Sequence, residues 1–261
     1  MSVLLVEKAR GVATLTLNRP ESLNALNLAL RQAIEQAFRE LQKDGETRVA
    51  IVTGAGRAFS AGIDLKELGS ARAMTSSGAA EASMIEALHA FEGPIIGAIN
   101  GHAITGGFEL ALACDVLVAS RAAVFGDTHA RVGIVPGWGL SQKLPRLIGI
   151  SRAKELAFTG NFIDAGQAER WGLVNHVVAP EALLGACQGL AADMLSCEPR
   201  SLRRYKRMID EGFATSFSEG MRIEARLSRE HLADVTPDSV AERRAAIQAR
   251  GRAQQRRPGS R

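Results

Sequence analysis

Two glycine-bearing turns constrain this chain more than any other feature. The first runs Gly54-Ala55-Gly56-Arg57-Ala58-Phe59-Ser60-Ala61-Gly62-Ile63-Asp64-Leu65-Lys66. The second runs Asn100-Gly101-His102-Ala103-Ile104-Thr105-Gly106-Gly107-Phe108-Glu109-Leu110. Each leaves an apolar strand-like run and leads into a helix-like one, so each offers backbone N–H groups without helical partners. Two such starts facing each other can hold one oxyanion between two donors. Glu109 stands just past the second turn and sets a carboxylate beside them.

The surrounding pattern supports an α/β chain. Residues 3–7 and 12–18 read as a β-hairpin around Ala9-Arg10-Gly11. Leu26, Leu30, Ile34, Ala37, Phe38 and Leu41 recur at helical spacing and predict a helix over 24–43. Val49 to Val52, Pro94 to Ile99 and Asp115 to Ala119 read as buried strands, and Gly106 to Cys114 as a buried helix. Strand, turn and helix in this rhythm favour parallel pairing. The small, polar stretch 69–80 reads as a loop able to cover a cleft, followed by a helix over 81–91. Beyond Pro136 the pattern predicts helices at 139–148, 151–158, 164–170, 181–196, 199–211 and 216–247, with a strand at 174–178. A boundary near residue 200 divides a core domain, 1–199, from a helical region with a basic tail, 200–261.

Composition excludes several classes. No apolar run approaches the ~20 residues of a membrane-spanning helix. The N-terminus reads as a first strand, with neither a secretory leader nor an amphipathic presequence. Cys114, Cys187 and Cys197 show no metal-ligand spacing and predict free thiols in a reducing compartment, the cytoplasm. The five histidines form no ligand pair, so no metal is expected. The net charge of +4 lies largely in the final arginines, Arg243 to Arg261. That tail is either a solvated end or an attractor for an anionic ligand or RNA. It lacks interleaved aromatics, which argues against stacking on bases.

Familiar catalytic motifs fail on inspection. The first turn lacks the third glycine of a dinucleotide-binding loop, and no phosphate-binding loop is present. Neither Ser60 nor Ser141 has the flanking glycines of a nucleophile elbow.

With these turns the chain resembles the enoyl-CoA hydratase/isomerase family, the crotonase fold. The likeness runs through Asn18-Arg19-Pro20-Glu21-Ser22-Leu23-Asn24-Ala25-Leu26, Gly54 to Glu67, Asn100 to Asp115, Phe125 to Gly139, and Ala168 to Asn175. The resemblance implies a spiral of β-β-α units with a C-terminal helical region, assembled as a homotrimer or hexamer. It implies an acyl-CoA thioester substrate, with coenzyme A part of that substrate and no separate cofactor. It places the two enolate-stabilising N–H donors at Ile63 and Gly106. Ala61, Gly62, Asp64 and Leu65 would border the thioester and pantetheine, Gly107 would allow close substrate approach, and Asn24, Ala25, Leu26 and Lys66 would lie near the nucleotide end. A preorganised donor at a developing oxyanion is worth about 3–4 kcal/mol. The same glycines also suit plain helix–strand packing.

Glu109 matches the family's first catalytic glutamate. Its apolar flanks favour a raised pKa suited to acid–base work, although a carboxylate there also stabilises its own helix start. Hydratases of the family usually carry a second glutamate in the segment Phe125-Gly126-Asp127-Thr128-His129-Ala130-Arg131. Here His129 takes its place. Two readings stay open: Glu109 deprotonates water while protonated His129 supplies the α-carbon proton, or His129 only hydrogen-bonds in the acyl pocket. Asp127 either orients His129, as residues two apart on an extended stretch share a face, or faces solvent. Arg131 pairs with Asp127 or with a substrate carboxylate. Trp138 shapes the acyl pocket or belongs to the core. The expected reaction is addition of water to a 2-enoyl-CoA. Double-bond isomerisation and thioester hydrolysis or decarboxylation are the alternatives within the fold, and RNA binding is the alternative outside it.

Overall fold

The structure, a computed structural model, describes residues 2–68 and 83–255. The proposed covering loop at 69–80 lies outside the described residues. The chain divides into two compact units, the first ending at Arg203 and the second beginning at Arg204.

The first unit is built on two sheets. β1 (Leu4–Ala9) and β2 (Val12–Leu17) form the expected antiparallel hairpin. α1 (Leu28–Asp44) leads to β3 (Val49–Gly54) and β4 (Ala58–Ser60). After α2 (Leu65–Leu68) and a helix over 83–90, here α3, come β5 (Ile95–Ile99), β6 (His102–Ile104) and α4 (Gly106–Leu112). Next are β7 (Val116–Ser120), β8 (Val124–Gly126) and α5 (His129–Val132), then α6 (Leu140–Ile148) and α7 (Ile150–Thr159). β9 (Phe162–Asp164), α8 (Ala165–Arg170), β10 (His176–Val178) and α9 (Leu183–Leu195) complete it. One sheet has the order β1-β2-β3-β5-β7-β10, parallel throughout except for the first hairpin; the other runs β4-β6-β8-β9.

Successive pairs β3-β4, β5-β6 and β7-β8, each followed by a helix, make the expected spiral of β-β-α units. The first strand of each pair joins the large sheet and the second joins the small one. β3 is apolar from Val49 to Val52 because both its faces are covered. Ala50 and Val52 enter the main core with Leu30, Ile34 and Phe38 of α1, while Val49 and Ile51 pack against Leu183, Cys187 and Ala191 of α9. The three-residue strands of the small sheet are absent from the sequence reading, since so few residues show no period-two pattern.

Two helix boundaries also differ. The helix expected from residue 24 begins at Leu28, capped by Asn27, whose side chain accepts from Leu30 N at 3.0 Å. Leu23 and Asn24 adopt φ of 51° and 55°, and Leu26 pairs in parallel with Ile63. The apolar periodicity therefore runs past the helix into a segment that serves the first glycine turn. Likewise the helix expected over 216–247 is two helices, Phe217–Leu232 and Pro237–Gln255, because Pro237 cannot donate within a continuing helix. Asp127 and His129 do not share an extended stretch: His129 opens α5.

The second unit takes in the end of α10 (Pro199–Phe213), then α11 (Phe217–Leu232) and α12 (Pro237–Gln255). Within it Gly212 and Gly220 let two helices approach closely, with a methyl on Gly220 falling 3.1 Å from Gly212 O. No residue of α12 is buried.

Candidate active site

The bridge between Leu26 and Ile63 explains how the first donor is presented. Leu26 N donates to Gly62 O at 2.7 Å, and Asp64 N donates to Leu26 O at 3.5 Å. Ile63 supplies neither bond, so its own amide turns to the opposite side. The second donor, Gly106 N, opens α4. Neither N–H donates to an acceptor among the described residues. The two are near neighbours: a methyl on Gly62 would lie 3.1 Å from Gly106 N, and one on Gly106 would lie 3.3 Å from Ile63 N. Gly62 is required twice over, by its φ of +94° and by Ile104 O, which a methyl would meet at 2.8 Å.

Other residues hold these donors in place. Asn24 is fully buried; its Nδ2 donates to Ala55 O and Ala58 O at 2.9 and 2.8 Å, and its Oδ1 accepts from Arg19 N. Ser60 Oγ donates to Asn24 O at 2.9 Å and accepts from Gly62 N at 3.2 Å. Thr105 adopts φ 55° and ψ −113°, a conformation rare outside glycine. It is fixed by Thr105 N donating to Gly126 O at 2.8 Å and by its Oγ1, which meets Thr128 Oγ1 at 2.5 Å and accepts from Thr128 N at 3.2 Å. This clasp ties the start of α4 to the segment that carries His129.

Beside the donors lies a buried row of ionisable groups. Glu109 Oε1 accepts from Trp138 N at 2.7 Å and Leu140 N at 3.4 Å, so the start of α6 anchors one oxygen. Its Oε2 stands 3.4 Å from His129 Nε2. The other ring nitrogen, Nδ1, lies 2.7 Å from Asp127 Oδ1. Glu109, Asp127 and His129 are 2%, 4% and 3% exposed. Burial by itself would lower the His129 pKa, but the hydrogen bonds and charges of Asp127 and Glu109 outweigh it and raise the value from 6.5 to about 9. His129 is thus an imidazolium at neutral pH, donating towards a carboxylate on each side.

The remaining residues named from the sequence divide by position. Asn24 is a brace for the first turn, since its buried side chain is engaged with the backbone of residues 19, 55 and 58. Leu26 is likewise buried and contributes its backbone. Gly107 admits Ser60 rather than a substrate, as a methyl there would lie 2.1 Å from Ser60 O. Ala61 N donates to Leu23 O at 2.9 Å. Ala25 O and Asp64 Oδ2 both accept from Arg19 Nη1, at 2.5 and 3.0 Å. Leu65 is 58% exposed and Lys66 is exposed beside it, both on α2. Arg131 does not pair with Asp127; its Nε donates to Thr159 O at 2.7 Å. Trp138 is nearly buried, with its ring Cζ3 3.2 Å from where a methyl on Gly106 would sit. Arg19, Thr105 and Thr128 escaped the sequence reading because their partners are remote in sequence. Among the described residues no cluster of His, Cys, Asp and Glu is suited to a metal ion.

A two-amide cradle beside a buried carboxylate–imidazole pair, carried on a spiral of β-β-α units, defines a class of acid–base site built around an oxyanion. The family model for enoyl-CoA hydratase/isomerase matches residues 7–245, and the chain belongs to that family. It is 38% identical to a probable peroxisomal enoyl-CoA hydratase 1 of Arabidopsis thaliana, over 94% of this chain and 92% of the relative. It is also 38% identical to a crotonyl-CoA hydratase of Syntrophomonas wolfei, over 85% of this chain and 86% of the relative. The crystal structure of an enoyl-CoA hydratase from Bacillus anthracis superposes with a TM-score of 0.88 at 34% identity, covering 95% of this chain and 96% of that one.

Proposed function

We propose that this protein adds water to a 2-enoyl-CoA, giving the 3-hydroxyacyl-CoA, with Ile63 and Gly106 as oxyanion donors and Glu109 and His129 as base and acid. The observation that carries this reading is the pairing of two amides that have no acceptor among the described residues with an acid and a base held 3.4 Å apart. Glu109 takes a proton from water as the hydroxyl bonds to C3. The C2–C3 π electrons move toward the thioester, and the enolate oxygen is met by the Ile63 and Gly106 N–H groups. The C2 carbon then takes the Nε2 proton of His129. Glu109 returns its proton to His129 across the same gap, which restores the starting state with one water added.

Isomerisation needs only one base, and the retained acid–base pair favours hydration over it. Hydrolysis would use the cradle without a proton donor for C2, whereas decarboxylation would leave an enolate that takes a proton at C2 but would need no base for water. We further propose a homotrimer or hexamer, as the family resemblance implies, and a reducing, cytoplasmic location from the free thiols of Cys114, Cys187 and Cys197. Exposed Lys66 on α2 would meet the anionic end of coenzyme A. The direct test follows loss of the conjugated enoyl-thioester absorbance of crotonyl-CoA on adding the protein. Hydration is the expected outcome. A shifted double bond or free coenzyme A in its place would give the reaction to the isomerase or hydrolase alternative.

A further inference from the structure

We propose that Asp127 is the positioning residue of this site: it holds the His129 ring by Nδ1, so that Nε2 alone is left for proton exchange. The proposal deepens the hydratase reading, and its kinetic arm rests on that reading.

The geometry is specific. Asp127 Oδ1 accepts from both the backbone N and the ring of His129, at 3.1 and 2.7 Å. The first bond is an Asx turn that starts the short helix α5. The second fixes the rotation of the imidazole about the axis that this turn has already set. One carboxylate therefore controls both where His129 begins and which nitrogen points to Glu109. Asp127 is 4% exposed, and no Lys or Arg forms an ion pair with it among the described residues. A buried carboxylate in that position needs a cation, and among the described residues the one paired with it is the His129 imidazolium.

Among the described residues the charged groups at His129 are two carboxylates. Glu109 comes from α4, and Asp127 from the segment before α5. Arg131, on the same helix, turns to Thr159 O, and Arg152 of α7 stacks over Trp171 at 5.1 Å. Glu109 has one oxygen committed to the Trp138 and Leu140 amides, so its Oε2 is the atom presented to Nε2. When His129 gives up a proton, Asp127 keeps the one on Nδ1, and the proton that leaves is the one on Nε2.

A simple helix-starting role for Asp127 would need only its bond to the backbone. The experiment separates the two. The full-length protein is labelled with 15N-histidine, the His129 ring signals are assigned by their loss in His129→Gln, and the titration is followed in wild type and Asp127→Asn. Asparagine keeps the turn but removes the charge. Expected for wild type is an imidazolium that persists to about pH 9 and a neutral ring protonated on Nδ1. In Asp127→Asn the transition should fall by at least about one pH unit. Crotonyl-CoA hydration should lose about 10–100-fold in kcat, with its alkaline limb moving by the same amount and KM changing less than about threefold. A neutral ring protonated on Nε2 in wild type overturns the proposal without any variant. So does an unmoved transition in a folded Asp127→Asn protein. If wild type fails to hydrate crotonyl-CoA, the hydratase reading falls, while the ring titration still decides the role of Asp127.

Discussion

The cradle and the acid–base row sit side by side, yet they are made of different materials. The cradle consists of backbone: the amides of Ile63 and Gly106, aimed by a parallel bridge, a left-handed glycine and a strained threonine. The row consists of side chains: Asp127, His129 and Glu109, aimed by one another. A backbone donor has no pKa in the working range and is supplied by any residue except proline, but the glycine that aims it, Gly62, tolerates no added Cβ. A side-chain acid can be exchanged for another acid of suitable reach and pKa. This contrast fits the resemblance read from the sequence, which runs through both turns and differs at His129. Chemistry carried by side chains can vary without rebuilding the fold, whereas the cradle is part of the fold.

The most severe test of this contrast is Gly62→Ala. A methyl 2.8 Å from Ile104 O, on a backbone with φ of +94°, must shift one donor against the other. Crotonyl-CoA hydration should fall by at least ~1,000-fold, with helical circular dichroism reporting that the chain still folds. A loss below about tenfold would mean that the cradle has slack and that the contrast is wrong. Glu109→Gln comes next, with an expected loss of about 100–1,000-fold in kcat, since the amide cannot accept the water proton. His129→Gln should cost about 100-fold and also remove the alkaline limb of the pH profile. In wild type that limb follows the protonated acid, so the rate falls as pH rises through about 9. Smallest is Arg19→Gln. Its partly exposed bond to Asp64 is worth about 0–1 kcal/mol, so kcat should change less than about threefold.

The same row gives a stability signature with a definite sign. The folded pKa of His129 lies above its ordinary 6.5, so its ion pairing contributes fully below 6.5 and is lost as pH rises through about 9. Thermal unfolding from about pH 6 to about pH 10 should therefore show wild type and His129→Gln converging at the alkaline end. A gap that stays constant across that range would assign the loss in the variant to packing.

Much of this site was legible one residue at a time. Glu109, His129 and both glycine turns stood out in the sequence, because apolar runs ending in glycine are local signals. Periodicity misled where two functions shared one pattern: Leu26 continues the apolar spacing of α1, yet it belongs to the bridge that aims Ile63. The small sheet was invisible, since three-residue strands such as Ala58–Ser60 are specified by their neighbours and not by alternation. Asn24 was placed near a ligand from its position in a motif, and only its three backbone partners show it to be a brace.

The sequence by itself determined the alternation of strand, turn and helix, the positions of the glycine turns and the presence of Glu109 and His129. These follow from local backbone preference and from residue identity. The tertiary structure alone decided that Ile63 and Gly106 face the same space, that Glu109 reaches His129, and that Asp127 turns inward to the ring. The first two depend on contacts between segments far apart in the chain, and the third on the tight turn between residues 127 and 129. The physical reason is that a hydrogen bond is directional and short-ranged. Which donor meets which acceptor is settled only when packing has fixed the distance and angle between them.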